Sequence, residues 1–349
     1  MEIFNEATIS LKQNWEALKT ESPQLRIRDA AKRLGVSEAE LLATGIGEQV
    51  IRLQDNFESQ VLDFPQLGKV MALTRNEACV LEHKGPFQKI ELHAAGPSTI
   101  ATVIGPIEQR VFFKSWKFGF AVTTPSPKGI LKSLQYFDQT GEAILKVYLQ
   151  EQSNPAAYER MLEKYASENQ HSTLDIETPE IPSYSSFNEL DMDAFQSDWA
   201  TMRDTHDFFG MLRKHRLNRL DAVKWIGDRW AYEVNKLSVR KVLSVASDTQ
   251  LPIMIFAGNK GNIQIHQGKI RTIRQMGNWI NVLDPDFNMH LNESEVDSAY
   301  VVHKNTTDGY VSALELFDKN GELAVQFFGL RKPGLPQKPA WKELLDQLT

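Results

Sequence analysis

Cysteine is almost missing from this chain: Cys79 is the only one in 349 residues. That excludes an intrachain disulfide framework, thiolate metal cages, cysteine-ligated iron–sulfur clusters and covalent c-type haem attachment. Apolar runs approaching the roughly 20 residues needed to cross a bilayer are also absent. The opening MEIFNEATISLKQNW carries early acids and no apolar stretch, so no secretory signal is expected and the cytoplasm is the natural compartment. Excess positive charge is lacking too. With a formal net charge of −6 no general phosphate-binding surface is implied, and no nucleic-acid partner is expected. No Walker loop, G-x-S-x-G elbow or H-E-x-x-H pair occurs. Gly45-Ile46-Gly47 lacks the third glycine of a dinucleotide loop and reads as a helix C-cap.

What the chain does have is a second copy of itself. LKSLQYFDQTGEAILKVYL (131–149) returns as VSALELFDKNGELAVQFFG (311–329), at a constant offset of 180 residues. Leu134, Phe137, Asp138, Gly141 and Glu142 match Leu314, Phe317, Asp318, Gly321 and Glu322. Asp at the first and Gly at the fourth position of a turn between apolar runs predicts a β-hairpin in each copy. Ile90-Glu91-Leu92-His93 is paired here with Ile263-Gln264-Ile265-His266. A helix–turn–helix-like stretch starts each half, with Ser37 and Asn218 as N-caps and Glu40 and Asp221 three residues on.

Helices are expected over 9–22 and 26–43, then short strands from about 69 to 149: VMALTR, ACVLEHKG, KIELHA and the aromatic RVFFKSWKFGFAVTT, before the hairpin. A helix over 154–166 follows. Residues 167–187, polar with two prolines, read as a linker. Helices resume over 188–227, strands over 241–330, and a short helix follows Pro339. The fold class is α+β with an internal duplication: domain one over 1–166, domain two over 188–349, each with helices first and a large antiparallel sheet after.

Trp199, Met202, His206 and Phe209 recur at spacings of 3, 4 and 3, which puts them on one face of a continuous helix. A histidine among such side chains suits a flat apolar ligand needing an imidazole; a satisfied core histidine is the plainer alternative. Arg213, Lys214, Arg216 and Arg219 form a solvated helix face or a clamp for carboxylates.

The DTHDFFGMLRK segment (204–214), the RVFFKSW strand (110–116), the length and the duplication together resemble the bacterial haem-uptake proteins HemS and ChuS, also called hemin-degrading factors. The resemblance spans essentially the whole chain. It implies a cytoplasmic protein of haem-iron acquisition that binds one haem b in a cleft between the halves. His206 would be the axial iron ligand and Arg110 the arginine on the opposite haem face, with Phe112 beside it. Arg216, Arg219, Lys304 and Arg331 would meet the propionates, and Phe209 and Met202 the porphyrin. Arg110 would also be the catalytic group, donating a hydrogen bond where charge develops. A tyrosine that relatives use near the propionates is not matched, the region reading Val325-Gln326-Phe327-Phe328. At the 180-residue offset Arg110 corresponds to His290, so the halves differ in chemistry at this position.

Three functions follow from this reading. One is oxidative haem degradation with an external reductant such as ascorbate or a reductase. The second is a non-catalytic carrier between a haem importer and a downstream haem oxygenase, for which His290 or His303 would be second axial ligands. The third is a duplicated protein for another anionic apolar ligand.

Overall fold

The two Asp-x-x-Gly turns fold alike, with the same backbone-amide bonds to the aspartate. In the first, Thr140 and Glu142 amides donate to Asp138 Oδ1 at 2.9 and 3.0 Å, and the Gly141 amide to Asp138 O at 3.0 Å. In the second, Asn320 and Glu322 amides donate to Asp318 Oδ1 at 2.8 and 2.9 Å, and the Gly321 amide to Asp318 O at 3.0 Å. Both glycines are left-handed, with φ of +78° and +79°, a conformation that glycine adopts without steric cost. The duplication is therefore structural as well as sequential.

A computed structural model describes residues 6–126, 129–179, 182–307, 309–331 and 336–348. The first half opens with helices Glu6–Glu21, Ile27–Leu34 and Glu38–Ala43. Its strands are β1 (Val50–Arg52), β2 (Gly68–Arg75), β3 (Cys79–Pro86), β4 (Lys89–Ala95), β5 (Ser98–Ile104), β6 (Glu108–Phe112), β7 (Trp116–Ser126), β8 (Gly129–Asp138) and β9 (Ala143–Ser153). The second half repeats the plan after helices Met192–Ala200, Asp207–His215 and Arg219–Trp225. Its strands are β10 (Ala231–Val234), β11 (Ile253–Gly258), β12 (Asn262–Gly268), β13 (Ile273–Met276), β14 (Trp279–Leu283), β15 (Phe287–Asn292), β16 (Val296–Thr306), β17 (Gly309–Asp318) and β18 (Leu323–Gly329).

Strand order runs β1-β7-β8-β9-β2-β3 in the first half and β10-β16-β17-β18-β11-β12 in the second. The meanders β4-β5-β6 and β13-β14-β15 complete each set. Even the irregularities repeat: the β7–β8 register shifts between Trp116 and Phe118, and the β16–β17 register between Val296 and Ser298, again 180 residues on.

This order corrects one expected correspondence. β3 and β12 are the equivalent strands, so Ile263–His266 matches Val80-Leu81-Glu82-His83 and not Ile90–His93. Alternating apolar residues recur on every strand of such a sheet, so four of them do not fix a register. The aromatic run 110–124 is also not one strand. A 3₁₀ turn at Phe113–Ser115 breaks it, letting Phe113 and Trp116 both turn inward (7% and 6% exposed), which an unbroken strand forbids at odd spacing. Strand β5, with its threonines and serine, is one more strand than the sequence pattern predicts between KIELHA and RVFFKSW.

Two units can be delimited. One holds the described parts of Met1–Arg75, Glu82–Pro179 and Gly258–Gln264; the other holds those of Asn76–Leu81, Glu180–Ala257 and Ile265–Thr349. Short segments around β3 and β12 thus belong with the unit of the other half. In the first unit Phe64, Phe87, Trp116 and Tyr136 pack in the core. In the second, one core joins Cys79, Val242, Leu314 and Trp341, and another joins Phe195, Trp199, Phe208 and Phe317. No helix among the described residues is long and apolar enough to cross a membrane.

Candidate functional site

The helix expected to run through His206 is interrupted. Met192–Ala200 stops, and the next helix begins at Asp207. Two aspartates make the break: Asp207 accepts the amides of Arg203 and Asp204 at 3.1 and 3.0 Å, and Asp204 accepts that of His206 at 2.8 Å. Short acidic side chains compete in this way with helical bonding of the backbone. The four residues therefore do not share one helical face. Trp199 and Met202 are core residues (0% and 7% exposed), whereas Phe209 is 56% exposed. The indole of Trp199 donates to His303 O at 2.9 Å and anchors the break to β16.

His206 is left standing free of the core, its side chain 90% exposed, with Nδ1 at 2.5 Å from Asp204 Oδ1. The His206 amide and ring, together with the charge of Arg331, hold the Asp204 carboxyl below the usual carboxylate range. The charge of Arg331, distant in sequence, is thus felt at the carboxylate that holds His206. Arg216 sits at the other end of the Asp207–His215 helix, exposed, with Nη2 at 3.4 Å from Ser183 Oγ.

Arg219 and Lys304 are together, but not as free cations. Arg219 makes a two-pronged pair with Glu315 (Nε–Oε2 and Nη2–Oε1, both 2.7 Å), and Lys304 Nζ lies 2.9 Å from the same Oε1. Gln326 donates to Oε1 as well, at 2.9 Å, so this residue of the unmatched tyrosine region serves the same carboxylate. Lys304 and Arg219 also lie over the Phe208 ring, at 4.1 and 5.0 Å from its centre. Burial pulls the Lys304 ammonium down to about 8 even beside a carboxylate. Burial alone would raise Glu315; Arg219 and Lys304 outweigh it and hold the carboxyl far below its ordinary value. The triad carries one net positive charge under an aromatic lid, which suits attraction of an anion without a loose cation in the core.

Glu315 is not among the candidate residues that the sequence offers. Its signal was the departure between copies, Gln135 in the first hairpin against Glu315 in the second. The first unit holds a related cluster in which equivalent positions carry different chemistry: Glu38, the counterpart of Arg219, is buried between Arg75 and Lys146, and Lys146 is the counterpart of Gln326.

Arg110, in the first unit, lies mid-strand on β6 opposite Thr102. Its guanidinium donates to Gln109 O at 3.0 Å and Glu108 Oε1 at 3.2 Å and is 37% exposed. The amide of Phe112 donates to Gly261 O at 2.9 Å. His290 Nδ1 meets Asn281 Oδ1 at 2.7 Å, and His303 Nδ1 meets Ser312 Oγ at 2.8 Å.

Fold and side chains together define a class: a duplicated α+β binding protein that presents an exposed imidazole beside aromatic and cationic groups. The family described as the haemin-degrading HemS.ChuX domain matches residues 35–165 and again 216–348, once per half. The chain belongs to that family, whose members bind and use haem. The hemin transport protein HmuS of Yersinia pestis is 33% identical over 341 residues, 97% of each chain. Holo-PhuS, a heme-binding protein from Pseudomonas aeruginosa, superposes with a TM-score of 0.94 at 38% identity, over 98% of this chain and 99% of that one. ChuS, a heme degrading enzyme of Escherichia coli O157:H7, gives 0.90 at 28% identity over the same shares.

Proposed function

We propose that this protein binds haem through Nε2 of His206 and degrades it oxidatively, releasing iron, with ascorbate or a reductase as external electron donor. The observation that carries the axial assignment is the state of the three candidate imidazoles. His206 extends 90% exposed from a helix start, while His290 and His303 are held within strands by Asn281 and Ser312. An imidazole nitrogen is a good ligand for haem iron, and the bound haem would supply the redox chemistry. Phe209, exposed one turn beyond His206, offers an aromatic face for a porphyrin. Arg216, Arg331 and the net cation of the Arg219–Lys304–Glu315 triad are the proposed propionate partners. Arg110 and Phe112 are proposed as further haem contacts, with Arg110 as the catalytic hydrogen-bond donor, on the family resemblance. The relatives named for heme degradation and for hemin transport support the substrate and leave two fates for it.

One experiment separates those fates. Haem is titrated into the purified protein, and the saturated complex receives ascorbate in air with catalase present. A shifted Soret band that then decays with release of iron is the expected result, because catalase removes the free-peroxide route. A Soret band that persists would make the protein a carrier, taking haem from an importer to a separate oxygenase. No Soret shift at all would return the site to another anionic apolar ligand.

A further inference from the structure

Packing does not hold the His206 ring, since it is 90% exposed. One oxygen does. Asp204 Oδ1 accepts the His206 backbone amide at 2.8 Å and lies 2.5 Å from its Nδ1, so it fixes both the backbone and the ring of the same residue. Asp204 is itself anchored, its amide donating to Asp207 Oδ2 at 3.0 Å. A carboxylate at Nδ1 keeps the imidazole proton on that nitrogen and leaves the lone pair of Nε2 directed away. The contacts at Nδ1 of His290 and His303 are of another kind, with an amide oxygen and a hydroxyl.

We infer that Asp204 is a positioning residue for haem, aiming the His206 ring, fixing its tautomer and making Nε2 a stronger donor to the iron. Outer carboxylates at metal-bound histidines act in this way, and their loss costs roughly 10- to 100-fold in metal affinity. The inference rests on the haem reading above. The same contact would restrain so exposed a side chain before its ligand arrives, so that less rotamer freedom is lost on binding. A more electron-rich axial ligand lowers the iron reduction potential, favouring the ferric state.

The test uses the full-length protein with Asp204→Asn, which keeps the side-chain shape and an oxygen for the backbone amide but removes the charge. Haem affinity, the iron–histidine stretch of the ferrous complex by resonance Raman, and thermal unfolding are measured together. The expected result is a stretch at lower frequency and affinity weaker by roughly tenfold, with unfolding unchanged. Asp204→Glu, restoring the charge, is expected to recover part of the frequency. A wild-type stretch in Asp204→Asn would overturn the inference, even if affinity fell through loss of structure. His206→Ala keeps the two readings apart. If that variant retains the wild-type haem spectrum, ligation by His206 itself is wrong. If it loses the stretch while Asp204→Asn keeps it, only the role of Asp204 fails.

Discussion

Lys304 Nζ lies 2.9 Å from Glu315 Oε1, and both side chains are shut off from water, at 5% and 0% exposure. Arg219 shares that carboxylate from the helical layer. Removing one partner of a buried pair leaves charge without compensation and costs about 3–5 kcal/mol. Glu315→Gln should therefore lower the unfolding free energy by about that amount in urea, the two cations losing their common anion. The pH dependence has a definite sign. Glu315 is depressed in the folded state, so its contribution is complete above about 4.5 and is lost as pH falls below that. Wild-type stability should drop on acidification through this range, and the Gln variant should drop less steeply. Parallel acid profiles would show that Glu315 does not carry the charge in the folded protein.

The hairpin glycines make a paired test of the duplication. Both need the left-handed region, where an L side chain costs about 1–2 kcal/mol. Their surroundings differ. A Cβ on Gly141 would fall 2.2 Å from Ser37 Oγ, whereas one on Gly321 would meet Leu220 Cδ2 at 3.2 Å. Ser37 Oγ is the N-cap acceptor for the Glu40 amide, at 3.2 Å, and a displaced cap costs about a further 1 kcal/mol. Gly141→Ala should thus be more destabilising than Gly321→Ala in denaturant titrations. Equal losses would mean that Ser37 moves aside without giving up its cap.

How far the sequence could be read depended on whether the signal was local. The turns were legible because Asp138 and Gly141, like Asp318 and Gly321, each do a job set by backbone geometry. The helix pairs were legible through Ser37 and Asn218, whose caps need only the next three residues. The break before His206 was not read, because Trp199, Met202, His206 and Phe209 keep helical spacing while Asp204 and Asp207 end the helix with side-chain bonds. The basic cluster was visible as charge. Its commitment to Glu315, 96 residues beyond Arg219, depends on a tertiary pairing that spacing does not encode.

Cys79 illustrates a buried thiol with nothing to activate it. It is 0% exposed in the second unit's core, and burial pushes its thiol far above the ordinary range. Only a thiolate reacts rapidly with disulfide reagents. In native buffer Ellman's reagent should label it slowly, at a rate set by opening of the core, with one equivalent released in denaturant, as expected for a single cysteine. Rapid labelling of the folded protein would show that β3 opens locally.

Arg216 occupies a position where glycine would be cheaper. It ends the Asp207–His215 helix with φ of +54°, a left-handed C-cap that usually falls to glycine. Its guanidinium is exposed, with the Ser183 hydroxyl at 3.4 Å as a weak partner, so local bonding does not repay the strain. If the side chain is kept for a carboxylate ligand, stability and binding should move in opposite directions on its removal. Arg216→Gly is expected to raise the unfolding free energy by about 1 kcal/mol and to weaken haem binding roughly tenfold, the loss of one charge-assisted hydrogen bond of about 1.5 kcal/mol. Unfolding in urea and haem titration of the same preparation read both quantities. Greater stability with unchanged affinity would take Arg216 out of the propionate site and leave its backbone conformation without a functional reason.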